Sequence, residues 1–92
     1  MTEQSPIIGY VQEIEQEVLG CLLFGADYRK VMSFLRDDHF VPDLHRIIYR
    51  AIQQSFERLG STAMPTVMKL LPEGFSEACM AKLGMSASAY LA

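Results

Sequence analysis

The sequence predicts an all-α fold, a compact globule of about five to six short helices around one long central helix. Three observations predict it. Between Leu44 and Leu59 apolar residues recur at alternating steps of three and four, the period of one helix face. No run of β-branched residues alternates with period two, and no Asn-Gly or Asp-Gly hairpin signal occurs. Glycine and proline punctuate the remainder at Gly25, Pro42, Gly60, Pro65, Pro72, Gly74 and Gly84, which leaves room only for short elements.

Taken in order, residues 1–10 contain Ser5-Pro6 and Gly9, lack periodicity and read as a flexible leader; residues 11–92 form the domain. Val11, Ile14, Val18, Leu19 and Leu22 place one apolar face on a first helix, with Glu13, Glu15 and Glu17 near its positive end. Gly20 inside that helix costs about 1 kcal/mol relative to alanine, which implies close approach of another helix. Gly25 ends the segment and Asp27 caps a second helix carrying Tyr28, Val31, Met32 and Leu35. Pro42 suits the first turn of the long helix, whose stripe is Leu44, Ile47, Ile48, Ala51, Ile52, Ser55, Phe56 and Leu59, with His45, Arg46, Arg50 and Arg58 on its other faces. Gly60 stops it. Ser61 or Thr62 then caps a fourth helix with Pro65 in its first turn and Val67, Met68, Leu70 and Leu71 inward. Phe75, Cys79 and Leu83 mark a fifth, closed by Gly84, and Ser86 caps a last turn through Ala89–Ala92.

Composition removes several function classes. The net charge of -3 and the absence of a basic stripe argue against direct nucleic-acid binding, which relies on Lys and Arg displacing counterions from phosphate. Cys21 and Cys79 have no CxxC or histidine spacing and read as two buried thiols. No signal peptide or long apolar run is present, so the expectation is a soluble, cytoplasmic protein without a membrane anchor. A phosphate-binding loop requires a lysine after a glycine, and Lys30, Lys69 and Lys82 follow Arg29, Met68 and Ala81. The local cluster Asp37, Asp38, His39 and Asp43 lacks metal-ligand spacing and reads as solvated turn carboxylates beside a structural histidine. The expectation is therefore no catalytic, cofactor-binding or metal-binding residue. An apolar share of 50% exceeds what a small domain hides, which points to a protein-binding surface.

Three segments carry a family resemblance. Ile14-Glu15-Gln16-Glu17-Val18-Leu19-Gly20-Cys21-Leu22-Leu23 resembles the opening helix of the N-terminal domains of DnaB-type replicative DNA helicases, roughly A-E-Q-x-V-L-G-x-L/M-L. Asp38-His39-Phe40, followed by His45 to Ile52, is similar to that family's D-x-F and H-R-x-I-F/Y-x-A-I/M elements. Ala89-Tyr90-Leu91-Ala92 resembles its A-Y-L-A stretch. The likeness covers about residues 11–92. It departs at Ile14, where the family has a small alanine, and at Met64-Pro65, where the family has an Asp that opens the helix.

The resemblance implies a collar and docking domain of a hexameric ring, with other helicase subunits, the primase C-terminal domain and a helicase loader as partners. ATP and magnesium would belong to the parent's motor domain, which is absent here. It also implies that Gln16, Leu19, Gly20 and Leu23 set the contact of the first helix with the long one. Phe40 would fill the core, His45 would hydrogen-bond a neighbouring loop, and Ile48 and Ala51 would lie on the buried stripe. Arg46, Arg50 and Arg58 are the candidate partner surface. Two other readings stay open: a free-standing regulator of a host replicative helicase, and a primase C-terminal helicase-binding domain. The H-R-x-I-Y-x-A-I element favours the helicase side. Monomer or weak dimer is the expected state.

Overall fold

In the computed structural model, which describes residues 6–92 with side chains from Gln12 onward, Pro6 opens α1 (Pro6–Leu23). Proline suits a helix start because its fixed φ is already helical and its missing N–H has no helical partner to lose. The leader is thereby corrected for residues 6–10, which are helical, while 1–5 lie outside the described residues. Glu13, Glu15 and Glu17 consequently sit in mid-helix rather than in the first turn, so the dipole argument for them fails. The inward stripe also shifts. Glu15, Leu19, Leu22 and Leu23 are buried, whereas Ile14 is 51% exposed.

Gly25 turns the chain at a φ of 127°, and the Ala26 N–H reaches back to the Cys21 carbonyl at 2.9 Å. The expected second helix is replaced by turns. A 3-10 turn at Tyr28–Lys30 is capped by Asp27, whose carboxylate accepts the Arg29 N–H at 3.1 Å. Isolated bonds follow from Met32 N–H to Tyr28 O and from Leu35 N–H to Val31 O, then a second 3-10 turn at Asp37–His39. A segment this short gains too few hydrogen bonds to offset helix nucleation. Tyr28 is buried and Val31 and Leu35 half-buried, but Met32 faces solvent.

Pro42 is the N-cap of α2 (Asp43–Leu59), one position before its first turn, and its carbonyl accepts the Arg46 N–H. Gly60, left-handed at a φ of 69°, closes α2 through the Phe56 carbonyl. The buried face is wider than the apolar stripe. It includes His45 and Tyr49, leaves Ile47 and Phe56 half-buried, and excludes Leu59.

The next helix, α3 (Met64–Met68), has Ala63 as N-cap, so neither Ser61 nor Thr62 caps it. Thr62 instead donates its hydroxyl to the Leu22 carbonyl at 2.8 Å, which ties this turn to the end of α1. Then come α4 (Phe75–Leu83), ended by Gly84, and α5 (Ala87–Leu91), where Ser86 Oγ accepts the Ala89 N–H. All-α architecture holds throughout, with no strand among the described residues.

The core forms where α1 and α3 pack on α2 and α5 closes on α1 and α4. Leu19, Ile48, Ile52, Val67 and Cys79 are fully buried there. Each large aliphatic side chain among them contributes about 2 kcal/mol of burial. Cys21, by contrast, is exposed, so only one of the two thiols is buried. It lies just past the inward stripe, on the outer face of α1.

Candidate functional site

Among the described residues, one buried polar group joins three helices. Glu15 of α1 lies one turn before Leu19 and therefore points inward beside it. Its Oε1 lies 2.9 Å from His45 Nδ1 on α2, and both carboxylate oxygens accept the Val41 N–H, at 3.3 and 3.1 Å. The other imidazole nitrogen, Nε2, is 2.9 Å from the Tyr90 hydroxyl on α5. A carboxylate can only accept, so Nδ1 carries the proton between them, and Nε2 pairs with the Tyr90 hydroxyl. Burial, with the Glu15 charge behind it, pushes the Tyr90 phenol above its ordinary value and keeps it a donor.

Chemically this is a strut. Both imidazole nitrogens are occupied, the ring is 1% exposed, and each carboxylate oxygen accepts at least one hydrogen bond. General acid or base work would need one of these atoms to face a reactant. Gln16 adds a bond from Nε2 to the Tyr90 carbonyl at 2.5 Å. A Cβ on Gly20 would sit 2.8 Å from the Leu91 carbonyl, so only glycine admits α5 this closely. Gln16 and Gly20 therefore serve the contact with α5, not the contact with the long helix. His45 bonds two helices rather than a loop, and reaches the loop at Val41 only through Glu15.

A second set of bonds fastens the long connection between α1 and α2. Tyr49 donates its hydroxyl to the Leu35 carbonyl at 2.6 Å, and burial drives its phenol far above the usual range. Arg46 Nε donates to the Phe40 carbonyl at 2.6 Å. Arg50 Nε meets Asp37 Oδ2 at 2.5 Å and holds that carboxyl below the ordinary carboxylate range. Phe40 is buried, its ring 5.1 Å from that of Tyr49, and Tyr28 stands edge-on to Phe56 at 5.1 Å. Leu19, Leu23, Ile48 and Ala51 are all buried.

Of the three arginines singled out, Arg46 and Arg50 thus come together over the connection, while Arg58 stands exposed near the other end of α2. The apolar surplus does reach the surface. Phe24, Phe34, Val41 and Leu59 are each at least 60% exposed. Among the described residues no group of His, Cys, Asp and Glu is arranged to hold a metal, and no helix is long and apolar enough to cross a membrane.

Glu15, Tyr49 and Tyr90 were missed as site residues. The available signal was positional: Glu15 and His45 each fall in the buried repeat of their own helix, where a lone polar group needs a partner.

Comparison with known proteins adds two findings. Residues 9–84 match the family described as DnaB-like helicase N terminal domain. The protein named Replicative DNA helicase DnaB from Rickettsia conorii is 38% identical over 58 residues, which is 62% of this chain and 12% of that relative. The chain therefore corresponds to a small fraction of that protein's length. No solved structure matches.

Proposed function

Since this chain belongs to the family of DnaB-like helicase N-terminal domains, we propose that it acts as the assembly and protein-docking domain of a replicative DNA helicase. It is non-catalytic; ATP hydrolysis, with its magnesium, belongs to the parent's motor. The single observation that carries this reading is the family match across residues 9–84. Two physical features agree with it. The polar groups of Glu15, His45 and Tyr90 are paired with one another, and exposed aromatic and aliphatic side chains remain outside the core.

The partners of this reading are a primase C-terminal domain, a helicase loader, and other helicase subunits in a ring collar. The setting is the cytoplasm. DNA is contacted by the parent's motor, since a domain with net charge -3 offers phosphate little attraction. Calorimetric titration of this domain with a cognate primase C-terminal domain, and separately with a loader, is expected to show saturable one-to-one binding in the micromolar range, about -8 kcal/mol. No heat and no mobility change with either partner would overturn the reading.

A further inference from the structure

Beside α5, the outer face of α1 carries features that each cost the isolated domain something. Glu13 and Glu17 are exposed and lie one turn apart, a like-charge spacing that destabilises a helix. Neither takes part in an ion pair among the described residues, although four other acidic side chains pair with arginines. Farther along the same face Phe24 is 60% exposed. All three line one open groove of about 580 Å³, floored at Gly20 and Cys21 and walled by Tyr90 on α5. Phe24 also lines the neighbouring groove of about 630 Å³, so it forms the ridge between two depressions. An exposed aromatic with a hollow on either side has the shape of a binding anchor.

From this we infer that the groove between α1 and α5 docks a basic amphipathic helix of a partner protein. Its apolar side chains would lie over Gly20 and against Phe24, and its Lys or Arg residues would pair with Glu13 and Glu17. Charge complementarity selects this occupant: two uncompensated carboxylates one turn apart match cations one turn apart on a facing helix. The inference rests on the docking role proposed above for the source of the helix, and adds the face and the chemistry.

The exposed Cys21 makes the groove testable, because the buried Cys79 has a thiol pushed up by burial and stays unreactive. The probe is a synthetic helical peptide with leucines on one face and lysines at i, i+4 flanking it; a counterpart carries glutamate for lysine. The lysine peptide is expected to protect Cys21 from a bulky maleimide and to bind more weakly as salt rises. The glutamate peptide is expected to do neither. Glu13→Lys with Glu17→Lys, and separately Phe24→Ser, should each weaken binding about tenfold or more with unchanged thermal midpoints, since all three side chains are exposed.

Equal affinity for the two peptides, an unaffected charge-reversed variant, or full Cys21 reactivity in the complex would overturn the inference. So would light scattering that shows self-association lost in Phe24→Ser, because the occupant would then be a second copy. If a primase domain binds wild type and both variants alike, docking stands and this groove is not where it occurs. If peptide binding fits the groove but primase and loader do not bind, the groove stands and the family-based reading falls.

Discussion

A histidine held at both nitrogens transmits the loss of any one partner to the others. Removing the ring in His45→Leu leaves the Glu15 carboxylate buried with only the Val41 N–H to satisfy it. Stranding a buried charge in this way costs about 3 kcal/mol or more. Urea unfolding of His45→Leu should show a loss of that order, and the double variant Glu15→Leu with His45→Leu should recover part of it. A loss below about 0.5 kcal/mol for the single variant, the range of ordinary surface substitutions, would refute the strut. Gly20 gives a sharper test because its sign can be decided in advance. On propensity alone Gly20→Ala would stabilise a helix by about 1 kcal/mol. Here the new Cβ meets the Leu91 carbonyl at 2.8 Å, so the melt should instead shift downward. The glycine was legible as a close approach, but its partner was not, because sequence spacing says nothing about which element returns to it. Glu15 was misread for a related reason: hydropathy counts it as surface although it occupies the inward turn before Leu19.

The elements divide by how much of their structure is local. Seventeen residues of α2 repeat their apolar spacing often enough that the helix, its Gly60 stop and its central place could all be read from sequence. The connection from Phe24 to Pro42 could be read only at single residues, namely the Gly25 turn, the Asp27 cap and the buried Phe40. Its shape depends on groups supplied by α2, namely Tyr49 to Leu35, Arg46 to Phe40 and Arg50 to Asp37. Tyr49→Phe should accordingly raise amide hydrogen exchange across residues 28–41 more than across α4, at a stability cost of about 1 kcal/mol. Uniform exchange across the chain would show that the bond does not hold the connection. The same contacts set the pH response. Arg50 lowers the Asp37 pKa only in the folded state, so its contribution is present above the ordinary carboxylate range and is lost as pH falls through the folded value. Wild type and Arg50→Gln should therefore differ in thermal midpoint near neutral pH and converge in acid. Burial raises the Tyr49 phenol, so the opposite sign applies at the alkaline end: stability is intact below about pH 10 and declines above it. Tyr49→Phe should flatten that decline.

At the scale of the whole molecule, the last element closes the first. The family match ends at residue 84, yet α5 beyond it supplies Tyr90 to the strut, a carbonyl to Gln16 and the buried Leu91 to the core. The Ala89–Ala92 motif was readable in sequence, but its use was not, since five helical residues have no stability of their own and exist only against α1 and α4. Deleting residues 86–92 should thus do more than trim an end. Leu91 loses about 2 kcal/mol of burial, and His45 Nε2 is left without the Tyr90 hydroxyl. A domain of this size has only about 5–10 kcal/mol in total, so a large part of its stability would go. The expected result is a markedly lower unfolding midpoint together with maleimide labelling of the otherwise buried Cys79, at a rate approaching that of Cys21. An unchanged midpoint with Cys79 still protected would mean that the core is complete at Gly84 and that α5 is a passive appendage.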